Sequence, residues 1–273
     1  MSFDVLSPGG LDYLPCRYGN SKVLFRGPRR SLDQPFVAFF GGTTTYGKFI
    51  QTPFPDMVEA SLGTTCVNFG SLNGGVDVFA TDPYLREESI MAAATVIQIT
   101  SPRNMSNRFY RVHPRRNDRF VEASALLRAI YRDVDFAEFN FTNHMLQRLQ
   151  LVSPDRFQPV LEELRTAWNA RMRLVLSQIP GKTILLWASD TAPEDMDDSI
   201  ESEPAFVTRD MLKTVIPMAT EYVEVVASPE AIEASTDGMV FSEMDAPMAR
   251  QMLGPQVHRD IATALGPVLK SML

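Results

Sequence analysis

Val37-Ala38-Phe39-Phe40-Gly41-Gly42-Thr43-Thr44-Thr45-Tyr46-Gly47 is an apolar run that ends in two glycines, three hydroxyls and a further glycine. A short continuous apolar segment bounded by glycine predicts a strand buried on both faces, as parallel sheets require. Ligands of open α/β sheets bind outside the carboxyl ends of the strands. The run therefore brings Thr43 to that edge and makes its hydroxyl a candidate nucleophile. The same hydroxyl can instead cap a helix that begins there.

The pattern repeats outward from this stretch. Residues 54–62 predict a helix, with prolines tolerated in its first turn and Gly63 ending it. Residues 65–69 read as a second strand, 77–94 as a helix interrupted at Pro83, and 95–100 as a third strand. Strand, helix, strand, helix, strand calls for a parallel sheet with crossover helices. Residues 101–153 break the alternation; they are rich in arginine, asparagine and aromatics, with helical pieces expected over 120–133 and 143–150. Ser153-Pro154 opens a long helix to about residue 179, because a serine cap followed by proline suits a helix start. A fourth strand follows over 183–188, a helix over 208–219, a fifth strand over 222–226 and a final helix from His258. The expected fold is a three-layer α/β/α domain with a five-stranded, mostly parallel sheet of flavodoxin-like type. It spans residues 1–273 as one domain, with an irregular surface arm at 1–35 and an insertion at 101–153.

Composition narrows the function. The 273 residues carry a net charge of -7, which argues against general binding to nucleic acid or to anionic membranes. No apolar run reaches the length of a membrane span, and Met1-Ser2-Phe3-Asp4 does not open a signal peptide. Cys16 and Cys66 are the only cysteines, which fits reduced thiols and a cytoplasmic setting. Three scattered histidines and two isolated cysteines predict no metal site and no cofactor. Residues 1–120 hold 13 of the 26 Lys+Arg against 10 of the 33 Asp+Glu, so the N-terminal part is the basic one. Arg103, Arg115 and Arg116 belong to that excess. Arginine clamps planar anions, and it also braces polar segments against carboxylates of an acidic half. The acidic stretch 189–204 lacks the ligand spacing of a calcium loop and reads as a solvated loop.

Three loops and one helix carry a family resemblance. Gly41-Gly42-Thr43-Thr44-Thr45-Tyr46-Gly47 resembles the Gly-Asp-Ser block of the SGNH (GDSL) hydrolases. Asn68-Phe69-Gly70-Ser71-Leu72-Asn73-Gly74 resembles their glycine block, Ser101-Pro102-Arg103-Asn104 their asparagine block, and Val257-His258-Arg259-Asp260 their histidine block. The arm and the arginine-rich insertion also resemble an uncharacterised alphaproteobacterial family of unknown function. The SGNH likeness implies Thr43 as nucleophile, Asn104 and the backbone of Asn73 or Gly74 as oxyanion donors, and His258 as base. It implies an ester hydrolase or acyltransferase. The arginines suggest a small or saccharide-like anionic substrate, with Arg103, Arg115 and Arg116 to bind it.

The chain departs from that pattern. Threonine stands for serine, and Gly42 for the aspartate before it. Pro255 stands where an aspartate three residues before the histidine would orient it, leaving Asp245 as a distant substitute. In another register His258 is a non-catalytic histidine ahead of the last helix. Two further readings use the same pocket: a catalytically inactive protein that binds an anion or carbohydrate, and a group transferase in surface-polysaccharide modification. His113 and His144 read as structural residues.

Overall fold

The computed structural model describes residues 10–273. Five parallel strands form the central sheet: β1 (Phe36–Gly41), β2 (Thr65–Gly70), β3 (Ala94–Gln98), β6 (Lys182–Ser189) and β7 (Glu221–Val226). Their spatial order is β2-β1-β3-β6-β7. The chain steps one way from β1 to β2, then returns past β1 to β3. That reversal puts the topological switch point, where doubly wound sheets open a crevice, between the carboxyl ends of β1 and β3.

Alternation along the strands explains the layers, because successive side chains leave a strand on opposite faces. Val37 and Phe39 point to the face covered by α2 (Phe54–Leu62) and α11 (Pro255–Met272), where Phe54, Val58, Ile261 and Leu265 are fully buried. Ala38 and Phe40 point to the other face. It is covered by α3 (Val76–Thr81), α4 (Pro83–Met91), α7 (Pro154–Gln178) and α8 (Arg209–Val215), with Trp168 and Met172 at its centre. The remaining helices are short: α1 (Thr43–Tyr46) after β1, α5 (Ala125–Ile130), α6 (Thr142–Val152), α9 (Pro229–Ala234) and α10 (Ala246–Ala249).

Several expectations are corrected. The expected helix 77–94 is two helices, because Asp82 stops the first and caps the second by accepting from Tyr84 and Leu85 N–H. The expected helix over 120–133 is shortened to α5 at 125–130, because residues 120–123 belong to a two-stranded antiparallel ribbon of β4 (Tyr110–His113) and β5 (Arg116–Ala123). The ribbon, α5 and α6 enclose a core of their own, including Tyr110, Leu127, Phe136 and Leu146, that packs on the first half of α7. The arm is irregular over its described part, and its inner side is anchored, with Tyr18 and Phe25 buried against Phe69. Its first nine residues lie outside the described ones. The acidic stretch is pinned rather than merely solvated, since Arg165 holds Asp198, Arg209 holds Glu194 and Arg103 holds Glu203.

One side chain of β3 organises the exit of β1. The Gln98 amide oxygen accepts from Gly42 N–H at 3.2 Å, Thr45 N–H at 3.1 Å and Thr45 Oγ1 at 2.7 Å. Gly41 has to be glycine for this, because a β-carbon there would lie 2.1 Å from Thr45 Oγ1. Replacing Gln98 by leucine leaves three buried donors without their acceptor, and we expect a loss of about 2–4 kcal/mol in urea unfolding.

Candidate functional site

Three of the residues singled out in the sequence meet at the switch point. Thr43 is the first residue of α1, but Gly42 occupies the capping position and no side chain caps the helix. The Thr43 hydroxyl turns instead to the loop after β2. It accepts from Asn73 N–H at 2.9 Å and donates to Asn73 Oδ1 at 3.2 Å. Asn104, at the end of the turn after β3, donates from Nδ2 to the Asn73 carbonyl at 3.1 Å. Its own Oδ1 accepts from Thr142 Oγ1 at 2.8 Å. Gly74 N–H closes a turn onto Ser71 O at 2.9 Å, so it is spent within the loop. Close packing also requires glycine next door, since a β-carbon on Gly75 would stand 2.2 Å from Asn104 O.

The ribbon of the insertion supplies the rest of the site. Asn117 Oδ1 accepts from Gly75 N–H at 3.1 Å. Asp118 Oδ2 accepts from Asn73 Nδ2 and from Arg116, each at 3.4 Å. Asp118 is only 8% exposed, and its other oxygen, Oδ1, has no partner. The Thr100 hydroxyl, just past β3, is also buried without a partner, and its methyl group would lie 3.5 Å from a β-carbon on Gly42. These two are the only buried side-chain oxygens left unpaired among the described residues; Thr100 follows β3, and Asp118 lies beside Asn73 of the loop after β2. Buried polar groups in folded proteins are nearly always paired, so such exceptions call for a reason.

The arginines divide. Arg103 pairs with Glu203 and donates to Ile200 O at 2.9 Å, which makes it a brace for the acidic stretch. Arg115 and Arg116 sit exposed at the turn of the ribbon, and Arg116 leans on Asp118.

No hydrogen bond joins His258 to Thr43 among the described residues. The last helix begins at Pro255, so His258 lies inside its first turn and faces α2. It is 1% exposed, its ring stands 5.7 Å from that of Phe54, and its Nδ1 accepts from Phe54 N–H at 3.2 Å. An Nδ1 that accepts has no hydrogen, so the neutral ring carries its proton on Nε2. A base for a hydroxyl oriented through Nδ1–H needs the opposite tautomer. Burial, with a smaller push from Arg26, also drives its pKa down to about 3. Asp245 is no substitute orienter; it accepts from Ser242 Oγ at 2.7 Å, and no contact joins it to His258 among the described residues.

Sequence reasoning missed Asp118, Asn117, Thr142 and Gln98. The chain separates them by tens of residues from the loop they serve, and no local motif marks them.

The His258 geometry fixes a pH dependence. The unfolded ring titrates near 6.5 and the folded ring near 3, so below pH 6.5 the unfolded state takes up a proton that the folded state refuses. Stability therefore falls with pH from about 6.5 toward about 3, at up to about 1.4 kcal/mol per pH unit from this group. Asparagine keeps an acceptor near Nδ1 and does not titrate, so His258→Asn flattens that limb in unfolding curves taken across this range.

Comparisons with known proteins are few. No curated protein matches the chain. Among solved structures, that titled "Crystal Structure of the Lipase Lip_vut3 from Goat Rumen metagenome" is similar at 9% identity and a TM-score of 0.48. The match covers 85% of this chain and 96% of that one. At this identity and score nothing about activity transfers. A family model described as "Domain of unknown function (DUF6473)" matches residues 1–273, and the chain belongs to that family.

Proposed function

We propose that this chain is a binding protein for a small polar ligand, held at the switch point between β1 and β3. It does not turn over an ester through a histidine-based triad. The observation that carries this reading is the hydrogen bond from Phe54 N–H to His258 Nδ1. It occupies the ring's lone pair, fixes the wrong tautomer for a base and leaves the imidazole buried in apolar surroundings. The Thr43 hydroxyl is engaged in both directions by Asn73, so no group in contact with it takes its proton as a base would. Asn104 likewise spends its amide on the Asn73 loop. The ligand class is a small anion or saccharide-like molecule, with Arg115 and Arg116 at the rim to meet a carboxylate or similar group.

One observation favours a second reading, an SGNH-like hydrolase or acyltransferase. Thr43 caps nothing, is half-buried, and receives a backbone N–H. These are the features an oxygen nucleophile needs, short of a base.

Hydrolysis of p-nitrophenyl acetate separates the two. Wild type, Thr43→Ala and His258→Asn are expected to match the uncatalysed rate. A wild-type rate above background that drops at least about a hundredfold in Thr43→Ala overturns the binding reading.

A further inference from the structure

Asn73 holds two groups at once. Its Oδ1 accepts from the Thr43 hydroxyl and its Nδ2 reaches Asp118 Oδ2 at 3.4 Å. It is exposed, and its backbone is left-handed, with φ +53°. Asparagine tolerates that region better than most residues, yet glycine is the residue it favours. Asn104 fixes the Asn73 carbonyl, while the side chain is held by the Thr43 hydroxyl and the long contact to Asp118.

Beside this amide lies a carboxylate whose hydrogen bonding is incomplete. Asp118 Oδ2 has only two contacts, both at 3.4 Å, which is long for hydrogen bonds to a charged acceptor. Asp118 Oδ1 has none and is shut away from solvent. The Arg116 guanidinium reaches only Oδ2, at 3.4 Å, so Oδ1 still lacks a donor. The Thr100 hydroxyl, two residues past the end of β3, is also unpaired. A ligand hydroxyl supplies what each lacks, since it donates and accepts. Arg115 and Arg116 on the same ribbon turn suit a carboxylate at the other end of that ligand.

We infer that Asp118 reads a hydroxyl of a small polyhydroxylated carboxylate, and that the Asn73 side chain is a latch the ligand displaces to reach it. This rests on the binding reading above and deepens it by naming the ligand class and its specificity residue. No bond is made or broken.

The test uses D-glucuronate against cyclohexanecarboxylate, a ring of equal size with the carboxylate but no hydroxyls, titrated into the full chain by calorimetry. Wild type is expected to prefer D-glucuronate at least tenfold. Asp118→Asn is expected to erase that preference while its circular dichroism stays unchanged. Asn73→Gly, which removes the latch and suits the left-handed backbone, is expected to bind D-glucuronate at least threefold more tightly. Should Asp118→Asn fail to fold, Asn73→Gly decides: affinity unchanged or weaker overturns the latch. Equal binding of both probes, unmoved by Asp118→Asn, overturns the hydroxyl inference and leaves the binding reading standing. Binding of neither probe to wild type or Asn73→Gly overturns the ligand class. The ester assay above then decides independently whether the crevice binds or hydrolyses.

Discussion

The carboxyl edge of the sheet depends on one amide oxygen. Gln98, the last residue of β3, reaches across to the neighbouring strand's exit and gathers two backbone N–H groups and a hydroxyl from the turn after β1. A turn this tight leaves backbone donors that neither a strand nor a four-residue helix satisfies internally. With Gln98 in place the turn is fixed, and the Thr43 side chain is presented to the loop after β2. Glycines at 41, 70 and 75 let the neighbouring backbones close in around it, since a β-carbon at any of them would lie within 2.3 Å of another atom. The switch point is thus built by hydrogen bonding between strands rather than by apolar burial alone.

Around that fixed turn the insertion adds what a bare doubly wound sheet lacks. The β4–β5 ribbon lays Asn117 and Asp118 against the loop after β2, and α6 contributes Thr142. Its core, shared with the first half of α7, keeps those residues in place. That edge of the sheet therefore combines a fixed turn, a ribbon carrying charge, and one exposed asparagine between them.

Much of this was legible in the chain, for physical reasons. Strands buried on both faces leave uninterrupted apolar runs, so β1 and β6 stand out, and helices opened by serine–proline or proline pairs, such as α2 and α7, start where expected. The ribbon was not legible: Arg116-Asn117-Asp118-Arg119-Phe120-Val121-Glu122-Ala123 alternates poorly because its register shifts and its outer face is solvated. Thr43, Asn73 and Asn104 could be read together because each follows a strand of the same sheet, and such loops share one edge. His258 could not be placed by the same logic. The last helix starts at Pro255, three residues before the histidine, and the ring is buried against Phe54 at the start of α2. Asp118 belonged to no motif, and only the folded ribbon brings it to Asn73.

The tautomer of His258 tests the central claim most directly. Nitrogen-15 chemical shifts of the ring report which nitrogen carries the proton. A proton on Nε2, an unprotonated Nδ1 and a ring that stays neutral well below pH 6 are the predicted result. A proton on Nδ1 with a titration near the ordinary value of 6.5 would contradict the account.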